Sequence, residues 1–167
     1  IKNASAGKKS FIYLKLNNLT DPEIINQLYE ASRAGVSVRL IVRGMFSVVA
    51  GIKNLSDNIK AIGIVDRLLE HSRFMIFCND GNEECFISSA DLMTRNIEHR
   101  IEVTCPVYDK TLKNELREIF EIQWSDNVKA RKLDPALSNK FVKPGKKPVR
   151  SQVEVYSYVI KNSGRCQ

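Results

Sequence analysis

Apolar positions in the first part of the chain change from the spacing of a strand to that of a helix and back. Residues 11–16 form an apolar run typical of a strand. Apolar residues then recur at helical spacing between Pro22, which suits the first turn of a helix, and Gly35, which ends one. The β-branched run 36–42 predicts a buried strand. A strand, a helix and a second strand, joined by a short turn, predict a parallel strand pair.

Similar patterns continue along the chain and predict an α/β fold. Further apolar stretches predict strands at residues 59–65, 74–77, 84–87 and 100–107. Residues 79–82, Asn-Asp-Gly-Asn, predict a hairpin turn. Amphipathic stretches predict helices at 110–124 and from Ser151 onward. The lysine- and proline-rich stretch 140–150 predicts an extended basic loop.

The composition is that of a globular protein, and we expect residues 1–167 to form a single domain. The net charge of +7 suggests an anionic partner, such as nucleic acid, a phosphorylated ligand or a membrane surface; the alternative is a role in solubility alone. No stretch has the roughly 18 consecutive apolar residues of a membrane helix. The chain begins at Ile1 without an initiator Met, so we interpret it as a piece of a longer protein.

The four cysteines predict no metal centre and no disulfides. They are Cys78, Cys85, Cys105 and Cys166, and they show neither a C-x-x-C pair nor a zinc-binding spacing. Cys78 and Cys105 fall in predicted strands, where thiols usually pack as small buried apolar groups. This usage favours a reducing, cytosolic compartment.

His71 and Arg73, just before the predicted strand 74–77, are the first candidate functional residues. Because side chains alternate along a strand, we expect the two on the same face. A titratable imidazole beside a fixed cation suits a phosphoryl group. The alternative is that His71 caps an element or packs in the core. The sequence lacks P-loop, dinucleotide-binding and kinase motifs, so bound phosphate would require cationic side chains and histidine.

Arg43 is the second candidate because it directly follows the predicted strand 36–42. Ligands of α/β sheets gather at the carboxyl ends of strands, and a guanidinium can bind phosphate with two hydrogen bonds. Gly44, the next residue, would let the backbone approach a ligand closely. The alternative for Arg43 is an ion pair at the surface or between domains.

A third group of polar residues follows the predicted strand 84–87. It comprises Ser88, Ser89, Asp91, Arg95 and Asn96. These side chains could shape an anion site, or Ser89 and Asp91 could simply cap a helix. The loop 140–150 could bind a polyanion, but charge runs are usually solvated surface.

Several blocks of this sequence closely resemble the C-terminal domain of bacterial polyphosphate kinase, in order and over essentially the whole chain. The blocks are Lys15-Leu16-Asn17-Asn18-Leu19, Ile41-Val42-Arg43-Gly44, Glu70-His71-Ser72-Arg73, Ser88-Ser89-Ala90-Asp91-Leu92-Met93-Thr94-Arg95-Asn96, Asp126-Asn127-Val128-Lys129-Ala130-Arg131 and Ser138-Asn139-Lys140-Phe141-Val142.

The resemblance implies a phospholipase-D-like α/β fold, a mixed β-sheet flanked by helices, that supplies half of one active site. The family transfers the terminal phosphate of ATP, reversibly, to a histidine and then to polyphosphate. In the superfamily the motif is His-x-Lys with a later Asp. Here Arg73 replaces the Lys and Cys78 stands at the Asp position, which argues against ordinary phosphodiesterase chemistry in this half.

The resemblance also implies roles for individual residues. The phosphorylated histidine belongs to the preceding domain, which this chain lacks, so the isolated chain would be inactive. His71 would be the catalytic histidine of this half, contacting the ATP phosphates and exchanging a proton, and Arg43 would bind phosphate. Residues that could support the phosphate site are Arg73, Ser89, Arg95 and Asn96. No metal ligand is expected here, because the residues linked to Mg²⁺ lie upstream.

The implied ligands and partners are ATP or ADP with Mg²⁺, inorganic polyphosphate and the upstream domains. The full-length enzyme is expected to be a cytoplasmic homo-oligomer without a membrane-spanning segment, with peripheral association at the inner membrane as a further option. Two alternatives remain open. The chain could be a polyanion or nucleic-acid binding module without chemistry of its own, or a phospholipase-D-like nuclease.

Overall fold

The computed structural model describes residues 1–143, 145 and 147–163. One sheet contains seven strands in the order β6-β5-β4-β1-β2-β3-β7. The strands are β1 (Phe11–Leu16), β2 (Ser37–Val42), β3 (Ile59–Gly63), β4 (Phe74–Phe77), β5 (Glu84–Ser88), β6 (Thr104–Val107) and β7 (Arg131–Lys132). The helices of the described part are α1 (Lys2–Ser5), α2 (Pro22–Arg33), α3 (Thr94–Glu98), α4 (Lys110–Trp124) and α5 (Ser151–Ser163). The expectation of an α/β fold is confirmed.

The β1-α2-β2 unit forms as its pattern predicts. Asp21 caps α2 by accepting a hydrogen bond of 3.0 Å from the Ile24 amide, and Pro22 occupies the first helical position. Gly35 has φ +92°, a left-handed conformation that favours glycine after a helix. β1 and β2 are parallel and paired along their whole length, which confirms the predicted strand pair.

The other half of the sheet is antiparallel and includes the predicted hairpin. β4 pairs antiparallel with both β1 and β5, and β5 pairs with β6. The turn 79–82 contains left-handed backbone at Asp80 (φ 58°) and Gly81 (φ 90°), conformations that this sequence tolerates well. Two predicted strands are shorter than their apolar stretches, since β3 ends at Gly63 and β6 begins at Thr104.

Two apolar clusters cover the two faces of the sheet. Leu14 and Leu16 of β1 belong to the cluster that includes α2. Phe11 and Tyr13 belong to the other cluster, which contains Phe120 of α4. Side chains alternate between faces along a strand, so Lys15 lies on the face that packs against α4. This placement of a lysine in a core-facing position becomes important for the candidate site.

The expectation that the thiol packs as a small buried group is confirmed for Cys78 and wrong for Cys105. Cys78 and Cys85 are buried, whereas Cys105 is exposed. The physical reason is that β6 is the strand at one end of the sheet, so an apolar strand there is left uncovered. Cys166 lies outside the described residues.

The basic stretch 140–150 runs along residues 127–132. Val142 donates a hydrogen bond of 2.9 Å to the Ala130 carbonyl, and Asn127 bonds to the Lys147 carbonyl and the Val149 amide. β7, which the sequence patterns did not predict, pairs with β3 in the same region. Pro144 and Lys146 lie outside the described residues.

Candidate functional site

The carboxyl ends of β1 and β2 form the base of the candidate site. Asn17 follows β1 and Arg43 follows β2, and these neighbouring parallel strands end at the same edge of the sheet. Arg43 Nε donates a hydrogen bond of 2.7 Å to Asn17 Oδ1. Over residues 1–143, 145 and 147–163, no carboxylate forms an ion pair with Arg43. Within the described residues its charge is therefore not neutralised by an ion pair, whereas an ion pair with another domain stays an open alternative.

Asp91 joins the end of β1 to the segment that carries His71. Its Oδ1 accepts hydrogen bonds from the amides of Asn17 (2.8 Å) and Asn18 (3.0 Å), and its Oδ2 accepts one from Asn18 Nδ2 (2.8 Å). Burial alone would raise the pKa of Asp91, but the hydrogen bonds from Arg73 and Asn18 outweigh it and lower the pKa to about 2. Asp91 is therefore a fixed anion and not, as the alternative held, a helix cap.

Arg73 connects Asp91 to His71. Arg73 Nε lies 3.0 Å from Asp91 Oδ1, and the Nη1 and Nη2 atoms of Arg73 each lie 3.4 Å from a ring nitrogen of His71. Nitrogen–nitrogen contacts of this length are long for a hydrogen bond, so they are weak contacts that place the guanidinium against the imidazole. The expectation that strand alternation aligns these residues is wrong, because β4 begins only at Phe74. Direct contact between the two side chains brings them together instead.

A buried ion pair lies beneath the same segment. Lys15 is 3% exposed, and its Nζ lies 2.7 Å from Glu70 Oε2 and 3.2 Å from the Ser72 carbonyl oxygen. Burial lowers the pKa of Lys15, although Glu70 partly opposes this. Burial also acts to raise the pKa of Glu70, but the charge and hydrogen bond of Lys15 lower it on balance. The pair is charged because each partner compensates the other.

Two neighbouring cavities lie over this network. One, of about 220 Å³, is lined by Lys15, Arg43 and Glu70 together with polar and apolar side chains of the strands and of α5. The other, of about 440 Å³, is lined by His71 and Arg73. Glu70 and Gln123 line both cavities. The structure thus brings Arg43 and His71 to adjoining spaces, linked through Asn17, Asp91 and Arg73.

Two other predicted support residues, Ser89 and Asn96, bind Glu102 and not Asp91. Ser89 donates its hydroxyl hydrogen bond to Glu102 Oε2, and Asn96 Nδ2 donates one of 2.6 Å to Glu102 Oε1. These two bonds, Ser89 first, lower the pKa of Glu102. Arg95 is exposed on α3. Ser89 and Asn96 therefore orient Glu102, and among the predicted support residues Arg73 alone has described contacts in the network around Asp91.

Gly44 is required for packing within the chain. A Cβ at this position would lie 2.6 Å from Asn18 Oδ1 and 2.9 Å from the Asn17 carbonyl oxygen. The Gly44 amide donates a hydrogen bond of 2.8 Å to that carbonyl. This close contact with the end of β1 explains the glycine without a ligand, and the approach of a ligand to this backbone stays a prediction.

Sequence reasoning gave no role to Lys15, Asn17 or Glu70. A signal was present: Lys15 interrupts an otherwise apolar strand, and a lysine in a buried strand needs an anionic partner. The identity of that partner could not be read from the sequence, because Glu70 is far away along the chain. Contacts of this kind depend on the fold.

The described part of the chain offers neither a cluster of metal ligands nor a membrane-spanning helix. Within those ranges, no cluster of three or more His, Cys, Asp or Glu side chains could hold a metal ion. No helix there combines the length and the apolar character needed to cross a membrane.

The fold places this chain in a structural class. A crystal structure of a phospholipase D family member, Nuc from Salmonella typhimurium, superposes with a TM-score of 0.58 over 79% of this chain and 87% of that one, at 16% identity. A likeness at this identity shows the fold alone. The chain is therefore a phospholipase-D-like α/β protein, as expected, whose cationic site contains a histidine.

The family follows from closer relatives. The family model "Polyphosphate kinase C-terminal domain 2" matches residues 1–152. A polyphosphate kinase from Vibrio cholerae is 53% identical over 160 residues, which are 95% of this chain and 23% of that protein. The crystal structure of polyphosphate kinase from Porphyromonas gingivalis has a TM-score of 0.94 at 45% identity and covers 98% of this chain and 25% of that one. The chain belongs to the polyphosphate kinase family, and it spans about a quarter of these relatives' length.

Cys78 stands where the superfamily resemblance expects an Asp. Its Sγ lies 3.2 Å from the Lys9 carbonyl oxygen, and the residue is 3% exposed. It follows β4 at the end of that strand opposite to His71. A thiol has no carboxylate oxygens, so Cys78 does not supply the carboxylate that the superfamily motif has at this position.

Proposed function

We propose that this chain is the C-terminal half-site of an ATP:polyphosphate phosphotransferase, which moves the terminal phosphate of ATP reversibly through a phosphohistidine to polyphosphate. The observation that supports this most strongly is the continuous network Arg43–Asn17–Asp91–Arg73–His71. This network connects Arg43, which forms no described ion pair, and the exposed His71 to the end of β1. Membership of the polyphosphate kinase family supports the choice of reaction.

In this proposal the chain's residues position and neutralise charge. Phosphoryl transfer depends mainly on alignment and electrostatic stabilisation of the transferring group. Arg43 donates its free guanidinium hydrogens to phosphate oxygens as negative charge develops. The His71 imidazole, which contacts Arg73, faces the nucleophilic histidine of the preceding domain and donates or accepts a proton at a ring nitrogen.

The carboxylates of this network do not fit a Mg²⁺ site. Glu70 is paired with Lys15, and Asp91 is paired with Arg73 and hydrogen-bonded to Asn18. A divalent cation needs carboxylate oxygens that are free of such cations. We therefore expect the Mg²⁺ that accompanies ATP to be bound by residues upstream of this chain.

The wider setting is also part of the proposal. We expect residues 1–167 to act as one domain, with the upstream domains of the same enzyme, ATP or ADP and polyphosphate as partners. We expect the full-length enzyme to be a cytoplasmic homo-oligomer, with peripheral association at the inner membrane. These expectations rest on the family resemblance.

Substitution of His71 tests the proposal. In the intact enzyme, His71→Ala should lower kcat by about 100-fold or more, because general acid–base catalysis contributes at least this much. The side chain is exposed, so folding should be retained. Initial rates of polyphosphate synthesis from ATP provide the measurement.

His99→Ala is the matched control. His99 is also exposed, and its ring lies 3.7 Å from Glu98, away from the network around Asp91. Its removal should leave the rate within the experimental error of the parent enzyme. Equal rates for the parent and His71→Ala would exclude His71 from the reaction.

Binding measurements separate this proposal from a polyanion-binding module. The module predicts affinity that falls steeply with salt, is carried by the basic residues of 140–150 and is insensitive to His71. Titrating the intact enzyme and its His71→Ala variant with polyphosphate, ATP and single-stranded DNA at several salt concentrations would distinguish the two.

A further inference from the structure

The segment Glu70–Arg73, which carries His71, has no regular secondary structure, so its shape depends on side-chain contacts. Glu70 Oε1 accepts a hydrogen bond of 3.0 Å from the Ser72 amide and another from the Ser72 hydroxyl. Both bonds close a tight loop around His71. The loop is compact, but these local bonds do not fix its position on the protein.

Lys15 supplies the connection to the rigid part of the fold. Its ammonium group lies 2.7 Å from Glu70 Oε2 and 3.2 Å from the Ser72 carbonyl oxygen, so it contacts the residues on both sides of His71. Lys15 itself belongs to β1, a strand paired with β2 on one side and β4 on the other. The cation therefore joins the central strand of the sheet to the loop.

The opposite side of this loop is attached to the start of α5. Gln152 Oε1 accepts a hydrogen bond of 2.9 Å from the Leu68 amide, and Gln152 Nε2 donates one of 2.7 Å to the Leu68 carbonyl oxygen. Arg150 binds Asp66 through Nε (2.8 Å) and Nη2 (2.6 Å). These contacts end at Leu68, three residues before His71. At the other end of the loop Arg73 is fixed to Asp91. Between these two anchors, among the described residues, Lys15 is the contact that holds Glu70 and Ser72 to the sheet.

We infer that Lys15 is a positioning residue for His71: its pairing with Glu70 and Ser72 holds the imidazole at the distance from Arg43 that phosphoryl transfer requires. This inference rests on the proposed function. Lys15 lines the cavity beside Arg43, but it is 3% exposed and its ammonium group is paired with Glu70 and the Ser72 carbonyl, so we assign it a positioning role and not a contact with the substrate. A shift of about 1 Å in a catalytic group can cost about 100-fold in rate.

The test is a double-mutant cycle in the intact enzyme with Lys15→Met and His71→Ala. Methionine keeps the length and apolar stem of lysine, and Glu70 remains 34% exposed, so water can solvate its carboxylate after the exchange. Lys15→Met should lower kcat about 10- to 100-fold with little change in the KM for ATP, because Arg43 is untouched. In the His71→Ala background, Lys15→Met should have no further effect on kcat.

Two additional variants keep the test decisive. Lys60→Met is the matched control, since Lys60 is an exposed lysine on β3 of the same sheet, and it should leave kcat unchanged. Lys15→Met/Glu70→Gln removes both charges of the pair, so it should fold even if an unpaired Glu70 is not tolerated. It should show the same fall in kcat as Lys15→Met.

The outcomes separate this inference from the proposed function. If His71→Ala lowers kcat and Lys15→Met multiplies that loss, Lys15 acts independently of His71 and the inference is overturned. A parent-like kcat for folded Lys15→Met, or for the charge-free double variant, overturns it as well. If His71→Ala itself retains the parent rate, the proposed function fails, and the role of Lys15 fails with it.

Discussion

Asp91 organises the candidate site through contacts within the chain. Its carboxylate accepts hydrogen bonds from the backbone after β1 and pairs with Arg73, which in turn contacts His71. A carboxylate held in this way stays ionised to low pH, as its pKa of about 2 indicates. The orientation of the Arg73–His71 pair therefore depends on Asp91.

Asp91→Asn should destabilise the chain by about 3 kcal/mol at neutral pH, because an amide cannot accept from both backbone donors and also neutralise Arg73. The folded pKa lies below the unfolded value of about 3.9, so this stabilisation is complete above that value and is lost as the pH falls towards 2. Urea denaturation of parent and variant between pH 7 and pH 2 measures the difference. A stability difference that does not shrink in acid would contradict the assignment.

At the scale of elements, Asp126 fixes α5 against the end of α4. Its Oδ1 accepts hydrogen bonds from the amides of Val128, Lys129 and Ala130, and its Oδ2 accepts from the amide (2.8 Å) and hydroxyl (2.7 Å) of Ser151. One fully buried carboxylate thus satisfies the turn after α4 and the first residue of α5. α5 then forms one wall of the cavity beside Arg43.

Asp126→Asn should lower the free energy of unfolding by about 3 kcal/mol, since its amide would face the Ser151 donors and leave them unsatisfied in the interior. Asp109→Asn is the control, because Asp109 is an exposed cap that accepts from Leu112, and asparagine caps helices equally well. That exchange should change stability by less than about 0.5 kcal/mol. Chemical denaturation compares the two. Equal effects would show that Asp126 acts only as a local cap.

At the scale of the whole molecule, we propose that the chain contains one side of a reaction centre. It spans 23% of its Vibrio cholerae relative, and its cationic site opens into two cavities at one surface. The family resemblance assigns the nucleophilic histidine to the preceding domain. We therefore treat Arg43 and His71 as groups that complete a site formed with another domain.

The isolated 167-residue chain should make no polyphosphate from ATP, because in the proposed function the histidine that receives the phosphoryl group belongs to the preceding domain. The intact enzyme, assayed under the same conditions with ATP and Mg²⁺, is the control. Product formation is followed over time by separation of labelled polyphosphate from ATP. Sustained synthesis by the isolated chain would show that the nucleophile lies within these residues.

How much of the site could be predicted depended on the range of the interactions. His71, Arg43 and Arg73 could be proposed because each stands beside a strand in the sequence. The hydrogen-bond partner of Ser89 and Asn96 could not be predicted. Both bind Glu102, whose position relative to them depends on how β5 and β6 pair. For the same reason, the sequence could not show that Glu70 pairs with Lys15.

The sequence by itself determined the parallel β1-α2-β2 unit, the β4-β5 hairpin and the helices α4 and α5, because periodicity, caps and turn residues act between near neighbours. Only the tertiary structure decided which cationic side chains form ion pairs. Lys15 is neutralised by Glu70 and Arg73 by Asp91, whereas Arg43 forms no described ion pair. Electrostatic pairing acts over a few ångströms in space and without regard to distance along the chain.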